Sequence, residues 1–186
     1  MKHEFEMSML GELSFFLGLQ IHKKRNGIFL SQQKYVGEML SKFQMHDCKP
    51  MSTPMVTGCK LSKEEDSPKV DQTLYRSMIR SLLYLTASRP DILQSVCLVA
   101  RYQADPREAH MIIVKRIFRY LKGTMNFGLW YVRFENCTLV AYSDADWAGC
   151  VDDRKSTSRG AFYLGQNLVS WHSKKQESVA LSTTEA

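Results

Sequence analysis

Two hydrophobic periodicities meet in DPREAHMIIVKRIFRYLKGTMNFGLWYVR, residues 105–133. The opening DPRE (105–108) offers an N-cap acceptor, a proline for the first helical position and a capping-box glutamate, and Lys122-Gly123 supplies a cation and a glycine of the kind that end helices. Between these signals the apolar residues recur at helical spacing. Beyond Gly123 the spacing of the apolar residues changes from the helical period of about 3.6 to the strand period of about 2. The segment therefore predicts an α+β protein in which helices precede strands.

The N-terminal part predicts a β-hairpin that passes directly into a helix. Residues 14–22 are largely apolar and aromatic and would form the first strand. The polar turn KKRNG at 23–27 offers Asn-Gly for positive φ, and residues 28–30 would form the returning strand. Ser31 can cap the following helix, because apolar residues recur at helical spacing from residue 35 to residue 43.

The middle of the chain predicts a small helical bundle that follows a long loop. Residues 47–72 contain three prolines and no sustained period, which indicates a linker or a long surface loop. Helices are predicted over 74–85 and after Pro90, and the helix that ends at Gly123 is the third. Because short turns join these helices, they should pack against one another.

Four short strands are predicted after the helices, at 128–133, 138–144, 160–164 and 168–172. The final residues 179–186 end in STTEA, which is how a helix begins. A helix that starts at the end of the chain leaves the strands without the partner that should cover them. We therefore expect an incomplete sheet.

The composition is that of an ordinary globular protein. The 186 residues are 44% hydrophobic and 24% charged, which is close to the average for soluble domains. The five cysteines include no C-x-x-C pair, which indicates reduced thiols in an intracellular compartment. No apolar run reaches the length of about 20 residues that crosses a bilayer, and the N-terminus has no signal-peptide core. We expect a protein of the cytoplasm or nucleus, neither secreted nor membrane-bound.

The net charge of +6 is concentrated in one region. Residues 101–133 hold seven basic and two acidic residues, and the predicted helix puts Lys115, Arg119 and Lys122 opposite its apolar side. Such a face can follow the phosphates of a nucleic acid. A solvated helix face without any ligand explains the same pattern.

One predicted strand carries the candidate metal ligands at its end. Asp144 and Asp146 are two positions apart, so their side chains point to the same face, about 7 Å from one another. Paired carboxylates suit Mg²⁺, which prefers oxygen ligands, although turn-forming aspartates are the usual explanation of such a pair. A two-metal phosphodiesterase would need further carboxylates from other elements.

Five motifs follow one another in a recognisable order. FLGLQI at 16–21 and GIFLSQ at 27–32 come first, SRPDI at 88–92 and RYLKGT at 119–124 follow, and YSDADWAG at 142–149 is the fifth. In this order they resemble the Pol polyprotein of copia-type long-terminal-repeat retrotransposons. The resemblance covers nearly the whole chain, from the C-terminal part of reverse transcriptase to the start of the ribonuclease H domain.

The resemblance implies a division of the chain into four parts. Residues 1–46 would be the end of the reverse transcriptase palm with a primer-grip-like hairpin and helix, and 47–72 a linker or loop. Residues 73–124 would be a thumb- or connection-like helical bundle, and 125–186 a truncated ribonuclease H-like domain with an incomplete mixed β-sheet.

The resemblance also assigns roles to individual residues. Asp144 matches the first metal-binding, catalytic aspartate of ribonuclease H, which in the intact family works with Mg²⁺ or Mn²⁺; no catalytic role is carried onto Asp146. Arg80 and Arg159 replace a usual glycine and bear on the packing of the thumb helix and the second strand. The partner would be an RNA/DNA hybrid or duplex, together with the remainder of Pol. The candidate nucleic-acid-binding residues are Phe16, Leu17 and Gly18 of the primer grip, and Lys115, Arg119, Lys122, Lys174 and Lys175.

Two features of the family are missing from the sequence. No Tyr-x-Asp-Asp motif of the polymerase occurs, and Ala186 ends the chain one residue before the expected second ribonuclease H carboxylate. Because one acidic ligand cannot fix two metal ions, we expect a chain that is inactive alone and does not hold the metal stably. The alternatives are a non-catalytic nucleic-acid-binding or interaction fragment, or a decaying relic without a selected function.

Overall fold

The computed structural model describes residues 13–64, 66–133 and 137–185. Within these ranges the chain forms four α-helices and two antiparallel sheets, which confirms the α+β class. Every described strand pairing is antiparallel, so the expectation of a mixed sheet is wrong. The strands are β1 (Phe15–Phe16), β2 (Leu19–Lys24), β3 (Gly27–Ser31), β4 (Gly128–Val132), β5 (Leu139–Ala145), β6 (Thr157–Leu164) and β7 (Asn167–Lys175). The helices are α1 (Gln33–Lys42), α2 (Gln72–Leu85), α3 (Leu93–Val99) and α4 (Glu108–Gly123).

The first sheet has the strand order β1-β2-β3-β4. β2 and β3 form the predicted hairpin, but Lys24 lies opposite Gly27, so the turn is only Arg25-Asn26. Neither Asn26 nor Gly27 has a positive φ, and the expected use of Asn-Gly is therefore wrong.

β4 pairs with β3 and not with the strands that follow it in sequence. A Cβ at Gly27 would collide with the carbonyl oxygen of Tyr131, and a Cβ at Gly128 with that of Leu30. The two glycines thus permit close approach of the two backbones. The strand predicted at 128–133 consequently belongs to the N-terminal sheet, although the sequence grouped it with the strands after it.

The four helices enclose the main hydrophobic core, because each presents apolar residues at positions three and four apart. Asp71 is the N-cap residue of α2, and its carboxylate accepts the backbone N–H groups of Thr73 and Leu74 at 2.8 and 3.2 Å. No helix in the described ranges is long and apolar enough to cross a membrane. Fully buried core residues are Val36, Leu40, Tyr75, Ile79, Leu82, Leu85, Ile92, Val96, Val99, Val114, Ile117, Phe118 and Leu121.

The start of α4 differs from the prediction. Arg107 is the N-cap residue, and Nδ1 of His110 accepts its N–H at 3.0 Å. Nε2 of His110 must then be the donor, and it bonds the carbonyl of Ser62 at 2.9 Å. Asp105, expected as the cap, instead forms ion pairs with Lys69 and Arg107.

Residues 47–64 and 66–71 form the predicted irregular loop, and they pack on the helices. The side chain of Leu61 is buried, and its carbonyl accepts the Tyr102 hydroxyl at 2.8 Å. The carbonyl of Lys49 accepts the Nε–H of Arg119 at 2.8 Å. The loop is therefore part of the body of the protein and not a detached linker.

A buried arginine connects the end of α2 to the end of α4. Arg89 is 2% exposed, and its guanidinium donates two hydrogen bonds to Asp91, at 2.9 and 2.7 Å. The same guanidinium reaches the carbonyl and the hydroxyl of Thr124, at 2.9 and 2.8 Å. Tyr120 completes the cluster with a hydrogen bond to Asp91 at 2.8 Å.

The second sheet has the order β5-β6-β7 and lies beside the helices. The indole N–H of Trp171 donates to the carbonyl of Thr86 at 3.1 Å, which docks β7 on the end of α2. β5 pairs only with β6 among the described strands, and all of its residues from 139 to 144 are exposed.

Asn167, at the start of β7, bridges the two sheets. Its side-chain oxygen accepts the backbone N–H of Val132 at 2.8 Å, and its side-chain N–H donates to the Val132 carbonyl at 3.0 Å. The Asn167 amide thus pairs with the end of β4 in the way that a neighbouring strand would.

The predicted helix start at 179–186 does not occur in the described residues, which stop at Glu185. Glu185 donates its N–H to the Ser182 carbonyl at 3.3 Å, which forms a single turn. Its carboxylate accepts the N–H of Leu181 at 2.9 Å. This prediction was wrong over the described part of that segment.

Candidate metal site and nucleic-acid interface

The candidate carboxylates lie where β5 ends. Asp144 is directly opposite Arg159 of β6, and Asp146 follows the last residue of β5. The Asp144 side chain is 71% exposed and that of Asp146 35%. The guanidinium of Arg159 lies 3.2 Å from Asp144 Oδ2 and 3.7 Å from Asp146 Oδ2. One cation therefore contacts both carboxylates.

Asp146 also has a structural task in the turn that leads to β6. Its Oδ1 accepts the backbone N–H of Thr157 at 2.5 Å. A Cβ at Gly149 would collide with the Asp146 carboxylate, so this glycine lets the turn fold tightly over it. These contacts are those of a turn-forming aspartate, which is the alternative that the sequence left open.

The residues of this site do not fit a resident divalent cation. Mg²⁺ requires several oxygen ligands in near-octahedral arrangement, whereas one oxygen of Asp146 is committed to a backbone N–H and a guanidinium faces both aspartates. In the described parts of the chain, no group of three or more histidine, cysteine, aspartate or glutamate residues could hold a metal ion. The assignment of Asp144 as a metal ligand stays a prediction.

Sequence reasoning missed Arg159 as a member of this site. The predicted strand at 160–164 began one residue after it, while β6 spans Thr157–Leu164. The only signal was its departure from the glycine that is usual in the family. Its position opposite Asp144 depends on strand register, which the sequence did not specify.

The basic face of α4 is only partly available to a ligand. Lys115 is exposed and Lys122 half-buried, and neither has an ion pair or side-chain hydrogen bond among those found in the described structure. Arg119 instead holds the loop through the Lys49 carbonyl, and Arg116 donates to the hydroxyl of Thr53 at 2.8 Å. Of the three basic residues predicted to contact nucleic acid on α4, Lys115 and Lys122 thus remain outward-facing.

Lys174 and Lys175 do not form one basic patch. As neighbours in β7 they point to opposite faces of the sheet. Lys174 is exposed and lies 3.9 Å from Glu177. Lys175 is buried further, with its Nζ 2.7 Å from Asp153 and 3.0 Å from the Cys150 Sγ.

The ion pair between Lys175 and Asp153 changes the pKa values of both groups. The hydrogen bond from Lys175 lowers the pKa of Asp153 to about 2. Burial lowers the pKa of Lys175, but its bonds to Asp153 and Cys150 outweigh that effect, and the pKa is raised. Lys175 therefore ties β7 to the loop after β5, and its role as a nucleic-acid ligand stays a prediction.

The expected primer-grip residues form an exposed turn between β1 and β2. Phe16 pairs with Leu19, so Leu17 and Gly18 are the two turn residues, with φ of 47° and 75°. Positive φ at both positions is typical of a type I′ hairpin turn. Phe16 and Leu17 are 51% and 71% exposed. The hydroxyl of Tyr84 in α2 donates to the Leu17 carbonyl and holds the turn against the bundle.

A cavity of about 460 Å³ separates the second sheet from the helices. The loop around Leu61 forms one wall, Arg101 and Gln94 another, and Asp146 and Cys150 a third. Arg101 crosses this space and donates to the Thr157 hydroxyl at 3.0 Å. The cavity therefore borders Asp146, one of the two candidate aspartates.

Known proteins resemble this chain along most of its length. A family model described as reverse transcriptase (RNA-dependent DNA polymerase) matches residues 1–57. The retrovirus-related Pol polyprotein from transposon RE1 of Arabidopsis thaliana is 42% identical over 175 residues, which cover 94% of this chain and 12% of the relative. The chain belongs to the Pol polyproteins of copia-type retrotransposons.

The chain corresponds to a limited part of such a Pol. The polyprotein from transposon RE2 of the same plant is 38% identical over 186 residues, covering 100% of this chain but 13% of the relative. An uncharacterized mitochondrial protein of Arabidopsis thaliana is 41% identical over 182 residues, 97% of this chain and 75% of that protein. No solved structure matches the chain.

Proposed function

We propose that this chain is the part of a copia-type Pol that joins the end of reverse transcriptase to the beginning of ribonuclease H, and that it helps to hold an RNA/DNA hybrid. The observation that carries the proposal is the alignment with the RE2 Pol polyprotein, which covers 100% of the chain. In the intact family, DNA synthesis on RNA and cleavage of the hybrid use Mg²⁺ or Mn²⁺. A retrotransposon Pol works inside the cell, in the cytoplasm or nucleus, and we infer the same compartment here.

Three parts of the chain have separate roles in this proposal. Residues 1–46 contribute the end of the palm, and the match of the reverse transcriptase model to residues 1–57 supports that role. Residues 73–124 contribute a thumb- or connection-like bundle. Residues 125–186 contribute the beginning of ribonuclease H, which is supported by an aspartate, Asp144, near the end of β5 in an antiparallel sheet.

The hybrid would contact two exposed surfaces of the chain. Phe16 and Leu17 offer apolar side chains at the turn before β2, and Lys115 and Lys122 offer cations to the phosphates. Gly18 supplies the turn geometry, and Lys174 is an outward-facing cation on β7. Arg119 and Lys175 hold protein groups, so they are secondary candidates for nucleic acid.

We further propose that the chain by itself does not cleave the hybrid. Two-metal hydrolysis needs several carboxylates around ions about 4 Å apart, and here Asp144 faces Arg159. With Mg²⁺ or Mn²⁺, the purified chain should leave an RNA/DNA hybrid intact. Cleavage that disappears in Asp144→Asn would contradict this part of the proposal.

The salt dependence of hybrid binding tests the proposed interface. The affinity should fall steeply with salt, because each neutralised phosphate contributes about 0.9 to the slope of log K against log salt for a B-form duplex. Lys115→Ala combined with Lys122→Ala should reduce that slope by roughly 1 to 2. Fluorescence anisotropy of a labelled hybrid measures both quantities.

Lys63→Ala is the matched control, since Lys63 is an exposed lysine of the loop before α2. It should leave the slope unchanged. A flat salt dependence of the parent chain would overturn the proposed interface, as would equal slopes for the parent and the double variant.

A further inference from the structure

Arg159 lies at the centre of the second sheet. Its neighbours across the strands are Asp144 on β5 and Ser173 on β7. Directly opposed residues in antiparallel strands share a face, so the Arg159 side chain extends along the face that carries Asp144 and Asp146. The guanidinium contacts a carboxylate oxygen of each, at 3.2 and 3.7 Å.

The carboxylate pair directs the position of this guanidinium. Nε of Arg159 is buried and has no hydrogen-bond partner in the described structure, so the two terminal nitrogens make its polar contacts. Arginine remains charged at all pH values at which the protein is folded, and its planar fork matches carboxylates. The two aspartates and Arg159 thus have a combined formal charge of −1 where the aspartates alone would have −2.

A divalent cation at the aspartates would meet this fixed positive charge within a few ångströms. At that separation, repulsion between a guanidinium and a divalent ion is unfavourable even with the screening expected near a surface. A second guanidinium, that of Arg101, approaches from the helices and donates to Thr157, whose N–H binds Asp146. Oδ1 of Asp146 thus faces the Thr157 N–H and Oδ2 faces the Arg159 guanidinium, so both carboxylate oxygens have a donor from the protein.

We propose that Arg159 is a built-in counter-ion of the Asp144–Asp146 pair, which excludes divalent cations from it and joins β5 to β6 in their place. This proposal concerns the charge of one site and does not depend on hybrid binding by the hairpin turn or by α4. Removal of the guanidinium should uncover a pair of carboxylates able to bind a hard cation weakly.

Binding of Mn²⁺ tests the proposal, with the free ion measured by electron paramagnetic resonance. Arg159→Gln, which keeps much of the side chain but removes the charge, should bind Mn²⁺ at least about tenfold more tightly than the parent. Arg159→Lys keeps the positive charge and should behave like the parent. Arg159→Gln combined with Asp144→Asn should lose the gain.

Two results would overturn the proposal: equal Mn²⁺ affinity of the parent and Arg159→Gln, or a gain that persists when Asp144 is replaced. Circular dichroism of each variant checks that it is folded. If Arg159→Gln does not fold, NMR spectra of the backbone amides of the parent provide the test. Selective broadening of the resonances of residues 144–146 by low Mn²⁺ would contradict exclusion, and their persistence would support it.

Discussion

Arg89 connects distant parts of the chain through a single buried charge. Its guanidinium binds Asp91 in its own turn and Thr124 at the end of α4. A buried arginine without such partners would be strongly unfavourable, because its charge would lose water without compensation. The cluster therefore specifies where the end of α2 lies relative to α4.

Arg89→Ala should lower the free energy of unfolding by about 3–5 kcal/mol, since it removes the guanidinium that donates to the Asp91 carboxylate and to the Thr124 carbonyl. Urea denaturation followed by circular dichroism measures the change. Arg80→Ala, an arginine exposed on α2, is the control and should stay within about 0.5 kcal/mol of the parent. Similar losses in the two variants would contradict the structural role of Arg89.

The acid stability of the protein should depend on Asp91. Burial raises the pKa of this carboxyl, but bonds from Arg89 and Tyr120 outweigh burial and hold the pKa below its ordinary value of 3.8. Because the folded-state pKa is the lower one, ionised Asp91 stabilises the fold above pH 3.8, and this contribution is lost as the pH falls through the folded-state pKa. Asp91→Asn should therefore show a shallower decline in unfolding free energy between about pH 5 and pH 2. Parallel pH profiles for the two proteins would count against this cluster.

At the level of elements, the turn between β1 and β2 combines strain with exposure. Leu17 has a φ of 47°, which is unfavourable for a leucine, and its side chain is 71% exposed. A residue in such a conformation at an exposed turn has no evident folding advantage. The strained and exposed Leu17 is therefore consistent with the proposed contact between its side chain and the hybrid.

Leu17→Asn separates the two roles of this turn. Asparagine tolerates positive φ, so thermal unfolding should show equal or greater stability, by up to about 1 kcal/mol. Hybrid affinity should fall, because an apolar contact is lost. Leu181→Asn, at another highly exposed leucine (83%), is the control and should leave the affinity unchanged. Unaltered affinity in Leu17→Asn would argue against a hybrid contact at this turn.

Sequence periodicity predicted the elements better than their partners. The helix predicted over 74–85 appears as α2 at Gln72–Leu85, because local apolar spacing and an N-cap aspartate specify it. The pairing of β4 with β3 was missed, since it joins residues about a hundred positions apart and depends on close approach at Gly27 and Gly128. The α4 cap was misassigned because His110 performs it, a residue outside the usual capping pattern.

For the whole molecule, ordered motifs identified the family, while three-dimensional contacts determine which site residues are available. Asp144 and Asp146 were found from their spacing, but Arg159 enters the site only through strand register. Arg119 was predicted as a phosphate ligand, and its Nε–H donates to the loop carbonyl of Lys49 at 2.8 Å. Such long-range contacts leave no local pattern in the sequence, so spacing rules could not reveal them.

The amide of Asn167 couples the two sheets mechanically. Through it, the last residue of β4 is tied to the first of β7, although no strand of one sheet pairs with a strand of the other in the described structure. Separation of the sheets would expose both polar groups of Val132 and the nearly buried Asn167 at once. Separation of the two sheets should accordingly be a single cooperative event, so a force applied to β7 would be transmitted through β4 and β3 to the turn that precedes β2.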